Sequence, residues 1–176
     1  MSLIEVMRKK RMSEAVAKYL STLVKDKRIQ DKLAKFFVVI FRRLKVDPHV
    51  VAYALCLLVR IQYNKTNSLS SQNVKRYFFT AMLLAYNMLT DTPYDLPSWS
   101  IIIEESYSVD EIQLMETTYL DIIQWNTHVY NIDVSRMLYT LIGLYNQDIQ
   151  LGDQIPVPSE VTKAFAVAQD VTMKHA

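Results

Sequence analysis

Residues 69–91 read LSSQNVKRYFFTAMLLAYNMLTD, and residues 108–129 read SVDEIQLMETTYLDIIQWNTHV. In the first, Val74, Tyr77/Phe78, Ala81, Leu84/Ala85 and Met88 recur at three- and four-residue steps, the spacing of one buried helix face over 71–89. Ser70 is placed to cap that helix, and Leu69 before it to staple onto Val74. Small Ala81 and Ala85, one turn apart, let another helix approach closely. In the second stretch, Ser108 followed by Glu111 is a capping box. It opens a helix to about residue 125, with Ile112, Met115, Tyr119 and Ile122/Ile123 inward. Asp91-Thr92-Pro93 and Leu96-Pro97 interrupt the chain between them and leave room for a short helix over 98–105.

Working outward, Asp47-Pro48 reads as a cap followed by proline in the first helical turn. The helix it opens, 48–63, is apolar almost all round, from Val50 and Val51 through Leu57, Leu58 and Ile61. A helix apolar on every face has to be enclosed by others. A helix over 30–45 carries Leu33, Phe36/Phe37, Ile40 and Leu44 on one side and ends in Arg42, Arg43 and Lys45, which suits the helix dipole. Ser2 and Glu5 form a possible capping box for an amphipathic helix over 3–27, with Met12, Val16, Tyr19/Leu20 and Leu23/Val24 inward and Lys18, Lys25 and Lys27 outward. The basic cluster at 8–11 reads as a solvated helix face before it reads as a localisation patch. After residue 129, Asn131 or Asp133 caps a helix to about 145, and 146–158 is turn-rich. A last stripe at Val161, Ala164/Phe165, Ala168 and Val171 fits a helix over 159–172. The sum is seven to eight helices and no strand: an all-α fold around a buried central helix. Its parts are an N-terminal amphipathic helix (1–29), a five-helix domain (30–129) and a C-terminal helical extension (130–176).

Composition agrees. A chain of 176 residues that is 51% apolar holds one real core, and only 2 glycines and 5 prolines leave little for a turn-rich β-protein. A net charge of +2 gives no basic face for a phosphate backbone, so no nucleic-acid partner is expected. The longest apolar run, 50–59, is too short to span a bilayer, so no membrane partner is expected, and no secretory pattern opens the chain. Cys56, the sole cysteine, reads as a small buried hydrophobe, and a cytoplasmic or nuclear setting follows by default. His49, His128 and His175 are isolated from any metal-ligand spacing, with His49 reading as a surface residue. Two glycines cannot build a phosphate loop. Glu104 and Glu105 are adjacent and diverge by about 100° on a helix, so they do not face one substrate. No catalytic residue, metal site, cofactor or small-molecule substrate is indicated, and the chain reads as a non-enzyme.

Three blocks carry a resemblance to the cyclin box, over about 32–129. Ala54-Leu55-Cys56-Leu57-Leu58-Val59-Arg60-Ile61 is similar to that family's second helix, A-L-I-Y-L-D-R-I. Leu69-Ser70-Ser71-Gln72-Asn73-Val74-Lys75-Arg76-Tyr77-Phe78-Phe79-Thr80-Ala81 resembles its third, L-S/T-x-x-N-x-x-R-F/Y-x-x-T-A. Ser108-Val109-Asp110-Glu111-Ile112, then Leu114-Met115-Glu116 and Tyr119-Leu120, look like its fifth, S-x-x-E-L-x-x-L-E-x-x-F-L. Within the family the blocks look closest to the phosphate-pathway (P- or U-type) cyclins of fungi and protists.

The resemblance implies a regulatory subunit that binds a cyclin-dependent protein kinase. Cyclins press on the kinase C-helix, seat its Glu against the ATP-binding Lys and help order the activation loop. They do so by favouring the active conformation and contribute no catalytic group. The family grips through its third and fifth helices, where a Lys and a Glu hydrogen-bond kinase backbone. The Glu matches Glu116, while the Lys position holds Asn87, which replaces a charge-assisted bond of about 1.5–3 kcal/mol with a neutral one of about 1. Leu84, Met88, Tyr119 and Leu120 fall at the family's apolar contact positions, where partner contact and interior packing are equal readings. The family's second-helix Asp, which pairs with a first-helix Arg, is Val59 here, leaving Arg42 or Arg43 for water or a partner; an apolar replacement of a buried pair is tolerable. Glu104-Glu105-Ser106 stands where the family has Gly-Gly. The leading reading is a kinase-activating cyclin. The second is a cyclin-fold scaffold that no longer activates a kinase, consistent with Asn87 and Val59. A nucleic-acid-binding cyclin-fold protein, which would want two repeats and a basic face, and an enzyme on a helical scaffold rank below.

Overall fold

The apolar run at 50–59 sits at the centre of the molecule. The structure is a computed structural model that describes residues 9–44, 47–64 and 66–146. Among these residues are seven α-helices and no strand: α1 (Lys9–Leu23), α2 (Gln30–Leu44), α3 (Pro48–Gln62), α4 (Val74–Leu89), α5 (Leu96–Ile102), α6 (Val109–Ile122) and α7 (Asn131–Asn146), with a 3-10 turn at Lys27–Ile29. The expected capping box at Ser2 and the expected last helix over 159–172 lie outside the described residues.

Thirteen of the fifteen residues of α3 are buried, so its expected enclosure is realised. It packs against α4 and α7; α1 packs on α2 and α7; α4 lies along α6; and α5 meets α6 and α2. Asp47 caps α3 through the His49 N–H, with Pro48 opening its first turn and the His49 ring exposed. Aromatic rings lock the layers at their crossings. Phe37 of α2 meets Phe78 of α4 edge-on at 4.8 Å, and Trp99 of α5 meets Phe79 of α4 at 5.9 Å. From α1, Met12, Ala15, Val16, Ala17, Tyr19 and Leu20 join the same hydrophobic cluster as α3, so this helix rests on the rest of the fold.

Several helix ends differ from the sequence reading. Residues 71–73 form a turn and α4 begins at Val74. Ser70 still accepts the Val74 N–H through its carbonyl, but Asn73 does the side-chain work, accepting the Ser70 N–H at 2.8 Å and donating to the Ser68 carbonyl at 3.0 Å. The short helix runs Leu96–Ile102 instead of 98–105, because Asp95 caps it through the Ser98 N–H. Asp133 is not a cap: it lies inside α7 with Oδ1 buried and unpartnered, while the Tyr130 carbonyl accepts the first N–H groups. At Ser108 the expected capping box is present in full.

Three helices end in one backbone device. Lys25, Glu104 and Gln124 are left-handed, with φ of 55°, 56° and 53°. The next residues reach back five positions: Asp26 N–H to Ser21, Glu105 N–H to Ser100, and Trp125 N–H to Leu120. This is the Schellman arrangement, in which the left-handed position ordinarily holds glycine because a Cβ is disfavoured there. It ends α1 before Lys25 and Lys27, and α6 before Trp125, both of which the sequence reading had placed on helices. It also explains the substitution at Glu104-Glu105: each has φ of 56°, a conformation that Gly-Gly would adopt without penalty. Glu104 has a compensating bond. Arg43 donates to its Oε1 at 2.8 Å and to the Ile101 and Ile102 carbonyls at 2.8 and 3.1 Å, so Arg43 is not left for water or a partner.

One buried cation fixes the link into α7. Arg60 of α3 donates through Nη1 to the Asn126 carbonyl and through Nη2 to the His128 carbonyl. Beside it the Tyr53 hydroxyl donates to the Thr127 carbonyl at 2.6 Å and accepts the Val129 N–H at 3.2 Å. A side-chain fork thus satisfies four consecutive backbone positions that belong to no helix.

Arg60→Ala strands two carbonyls and is expected to lower unfolding free energy by about 2–4 kcal/mol, read from the urea midpoint. Arg60→Lys should recover less than half of that loss, since an ammonium lacks the fork. Gln124→Gly relieves a left-handed side chain with no bond to lose and should add about 0.5–1 kcal/mol. Glu104→Gly should gain less, because it also removes the Arg43 pair; thermal unfolding separates the two.

Candidate functional site

The six expected contact residues all fall on α4 and α6, which pack along one another, but they divide by depth. Leu84 is buried and Tyr119 fully so, its ring 6.0 Å from that of Tyr77; both are built into the interior. Burial holds the Tyr119 hydroxyl well above the ordinary range for a phenol, and its oxygen has no hydrogen-bond partner. Asn87, Glu116 and Leu120 are half-buried, and Met88 is 48% exposed. Of the six, Met88 is thus the most exposed, and Asn87, Glu116 and Leu120 are partly open to solvent.

Neither the Asn87 side-chain oxygen nor the Glu116 carboxyl shows a hydrogen-bond partner among the described residues. The Asn87 side-chain oxygen is buried with nothing donating to it. The Glu116 carboxyl is held above its ordinary pKa by partial burial alone, with no cation or N–H opposing the shift. Both groups are acceptors. They sit on adjacent packed helices, the Asn87 oxygen enclosed and the Glu116 carboxyl partly open to solvent. The orphaned amide oxygen and the half-desolvated carboxyl each cost stability in the free chain.

Two further features were missed from sequence. Trp125, assigned to a helix, is turned outward by the Schellman ending of α6, stays 63% exposed, and is steadied by its Nε1–H bond to Asp121 at 3.0 Å. Leu89, 48% exposed, extends the apolar rim beside Met88. The second feature is charge. Residues 77–135 contain nine Asp and Glu and no Lys or Arg; all 20 cations lie elsewhere. A count of charge by segment, instead of over the whole chain, finds this directly. The segment forms α4 to α6, their links and the start of α7. Asp95 and Glu111 are used in caps, Glu104 on Arg43, and Asp133 is buried, while Asp91, Glu105, Asp110 and Glu116 show no pairing among the described residues.

The remaining chemistry is inert or structural. Cys56 lies in the interior, where burial and the nearby Asp133 charge push its thiol up to about 12. A groove of about 290 Å³ separates the first halves of α4 and α6, lined by Arg76, Tyr77, Tyr107, Glu111, Leu114 and Met115. Among the described residues no three His, Cys, Asp or Glu side chains stand together as metal ligands, and no helix is long and apolar enough to cross a membrane.

The family model described as "Cyclin, N-terminal domain" matches residues 2–128, which cover α1 to α6 and most of the link clamped by Arg60. No curated protein and no solved structure matches the chain.

A carboxyl whose pKa is raised by folding binds its proton more tightly in the folded chain, so stability is lost as pH rises through that value. Glu116→Gln should therefore be more stable than the parent at pH 7, and the difference should close as pH falls below about 4.3, the ordinary Glu value. Urea unfolding across that range checks it; equal stability at pH 7 would remove the desolvated carboxylate from the account.

Proposed function

The chain belongs to the cyclin family, and from that premise we propose that it is a regulatory subunit that binds and activates a cyclin-dependent protein kinase. The docking face would be the exposed edge of α4 and α6, with Met88, Leu89, Leu120 and Trp125 as apolar contacts, Glu116 as an acceptor for kinase N–H groups and Asn87 as a polar contact. The observation that carries this reading is that the Asn87 side-chain oxygen and the Glu116 carboxyl, at the positions the resemblance gives for the polar grip, show no hydrogen-bond partner among the described residues, while Met88, Leu89 and Trp125 are exposed at the ends of the same two helices. Binding there would supply free energy only to the kinase conformation whose C-helix fits the face, shifting its population toward the active state. All chemistry would remain with the kinase, and this chain would contribute no catalytic group, metal or cofactor.

The lysine that usually donates from position 87 is absent, and residues 77–135 carry acidic side chains without a Lys or Arg. We infer that the kinase surface opposite supplies the donors and carries a positive charge excess. In this reading the chain is a P- or U-type cyclin acting in the cytoplasm or nucleus, a subtype that rests on the resemblance of the three sequence blocks alone. A scaffold that binds without activating is favoured by one specific observation, the uncharged Asn87.

Affinity capture with mass spectrometry should recover a cyclin-dependent kinase, and recovery of none by a folded chain sinks the proposal. Met88→Ala with Trp125→Ala should weaken capture about tenfold or more, as for central apolar anchors. Glu116→Gln should weaken it while stabilising the free chain, opposite signs that a purely structural role would not give. Raising salt from about 50 to 300 mM should slow association several-fold; a salt-independent rate counts against a cationic partner face. Kinase assays on the captured complex separate activator from scaffold.

A further inference from the structure

The chain contains a single Ser-Pro or Thr-Pro dipeptide, Thr92-Pro93. It lies in the link between α4 and α5, where residues 91–95 are all exposed and none is helical. The link is held at both ends. On one side the Thr90 N–H bonds the Tyr86 carbonyl at 3.0 Å. On the other, the Tyr94 ring stacks on Tyr86 at 5.4 Å, with Trp99 edge-on at 6.3 Å, and Asp95 caps α5. Thr92 is thus lifted from the surface on a short, anchored, exposed link. Pro93 keeps it out of the helical region and offers no N–H of its own. This is the form in which a kinase selecting proline after its acceptor reads a substrate. The acceptor is non-helical and accessible, and no backbone hydrogen is left unpaired in the pocket that takes the next residue.

We propose that Thr92 is a phosphorylation site for a proline-directed protein kinase, and that its phosphate tunes capture at the adjoining α4–α6 face. The Thr92 Oγ1 attacks the γ-phosphorus of Mg·ATP, the bond to the β-phosphate oxygen breaks, ADP leaves, and the hydroxyl proton passes to the modifying kinase's base. The phosphate adds about −1.5 to −2 charge. No Lys or Arg occurs between residues 77 and 135, so nothing in this part of the sequence neutralises it and the added charge remains on the face that begins at Met88 and Leu89. The regulatory half rests on the kinase-binding reading above. Against a cationic partner, a charge at the rim acts chiefly on association rate.

The test uses the full chain, Mg·ATP and a purified kinase of general Ser/Thr-Pro specificity, with the site located by tandem mass spectrometry. Stoichiometric phosphate at Thr92 is expected, with none on Thr92→Val and about tenfold slower transfer on Pro93→Ala. No phosphate at Thr92, or unchanged transfer on Pro93→Ala, overturns the site. The phosphorylated chain should then associate with its captured kinase about two- to fivefold faster at low salt. Equal rates overturn the regulatory half. If neither form captures a kinase, the kinase-binding reading fails while the modification stands.

Discussion

Enclosure of α3 is the constraint on which the other elements depend. A fifteen-residue helix with thirteen buried positions exposes a full cylinder of apolar surface, and no single neighbour can cover it. α4 and α7 lie against it, α1 and α2 close the layer behind, and α6 is placed by its packing on α4. The position of the proposed docking face is therefore a consequence of covering α3. α4 presents its inward side to the core through Phe78, Ala81 and Ala85, and its far end, at Met88 and Leu89, stays exposed.

Enclosure brings one polar demand. The link from α6 to α7 has to cross the end of α3 without helical hydrogen bonds, and Arg60 and Tyr53 supply them from inside. Desolvation pushes the Arg60 pKa down, yet the guanidinium is compensated by two carbonyls and by the charge of Asp133 nearby. Other parts of the chain follow the opposite logic. On α4 and α6 it leaves an amide oxygen without a partner and a carboxyl partly desolvated, and at three helix ends it keeps side chains in left-handed positions where glycine would be easier. The first set of groups holds the fold together, and the second lowers its stability in the free chain, a distribution expected where binding geometry is selected alongside stability.

Much of this was legible in the sequence because helix periodicity is local. The apolar run at 50–59, the cap at Asp47-Pro48 and the Ser108–Glu111 box each declare themselves within a few residues, and all three stand in the structure. Helix ends were less legible. Whether α6 stops at Ile122 depends on Gln124 accepting a left-handed backbone, which no glycine announces. Arg43 could not be placed either, because its partners lie 58 to 61 residues further along the chain and meet it only when α5 packs on α2.

The sequence by itself determined the all-α class, the buried central helix and the family, since each rests on spacing, composition or contiguous motif. It also held the acidic segment at 77–135, which needs only counting. Only the tertiary structure decided which residues at the family's contact positions face outward. Leu84 and Met88 lie four residues apart on one predicted stripe, and periodicity cannot separate the buried one from the exposed one. The burial of a side chain is set by what packs against its helix from distant parts of the chain, and that is a property of the fold.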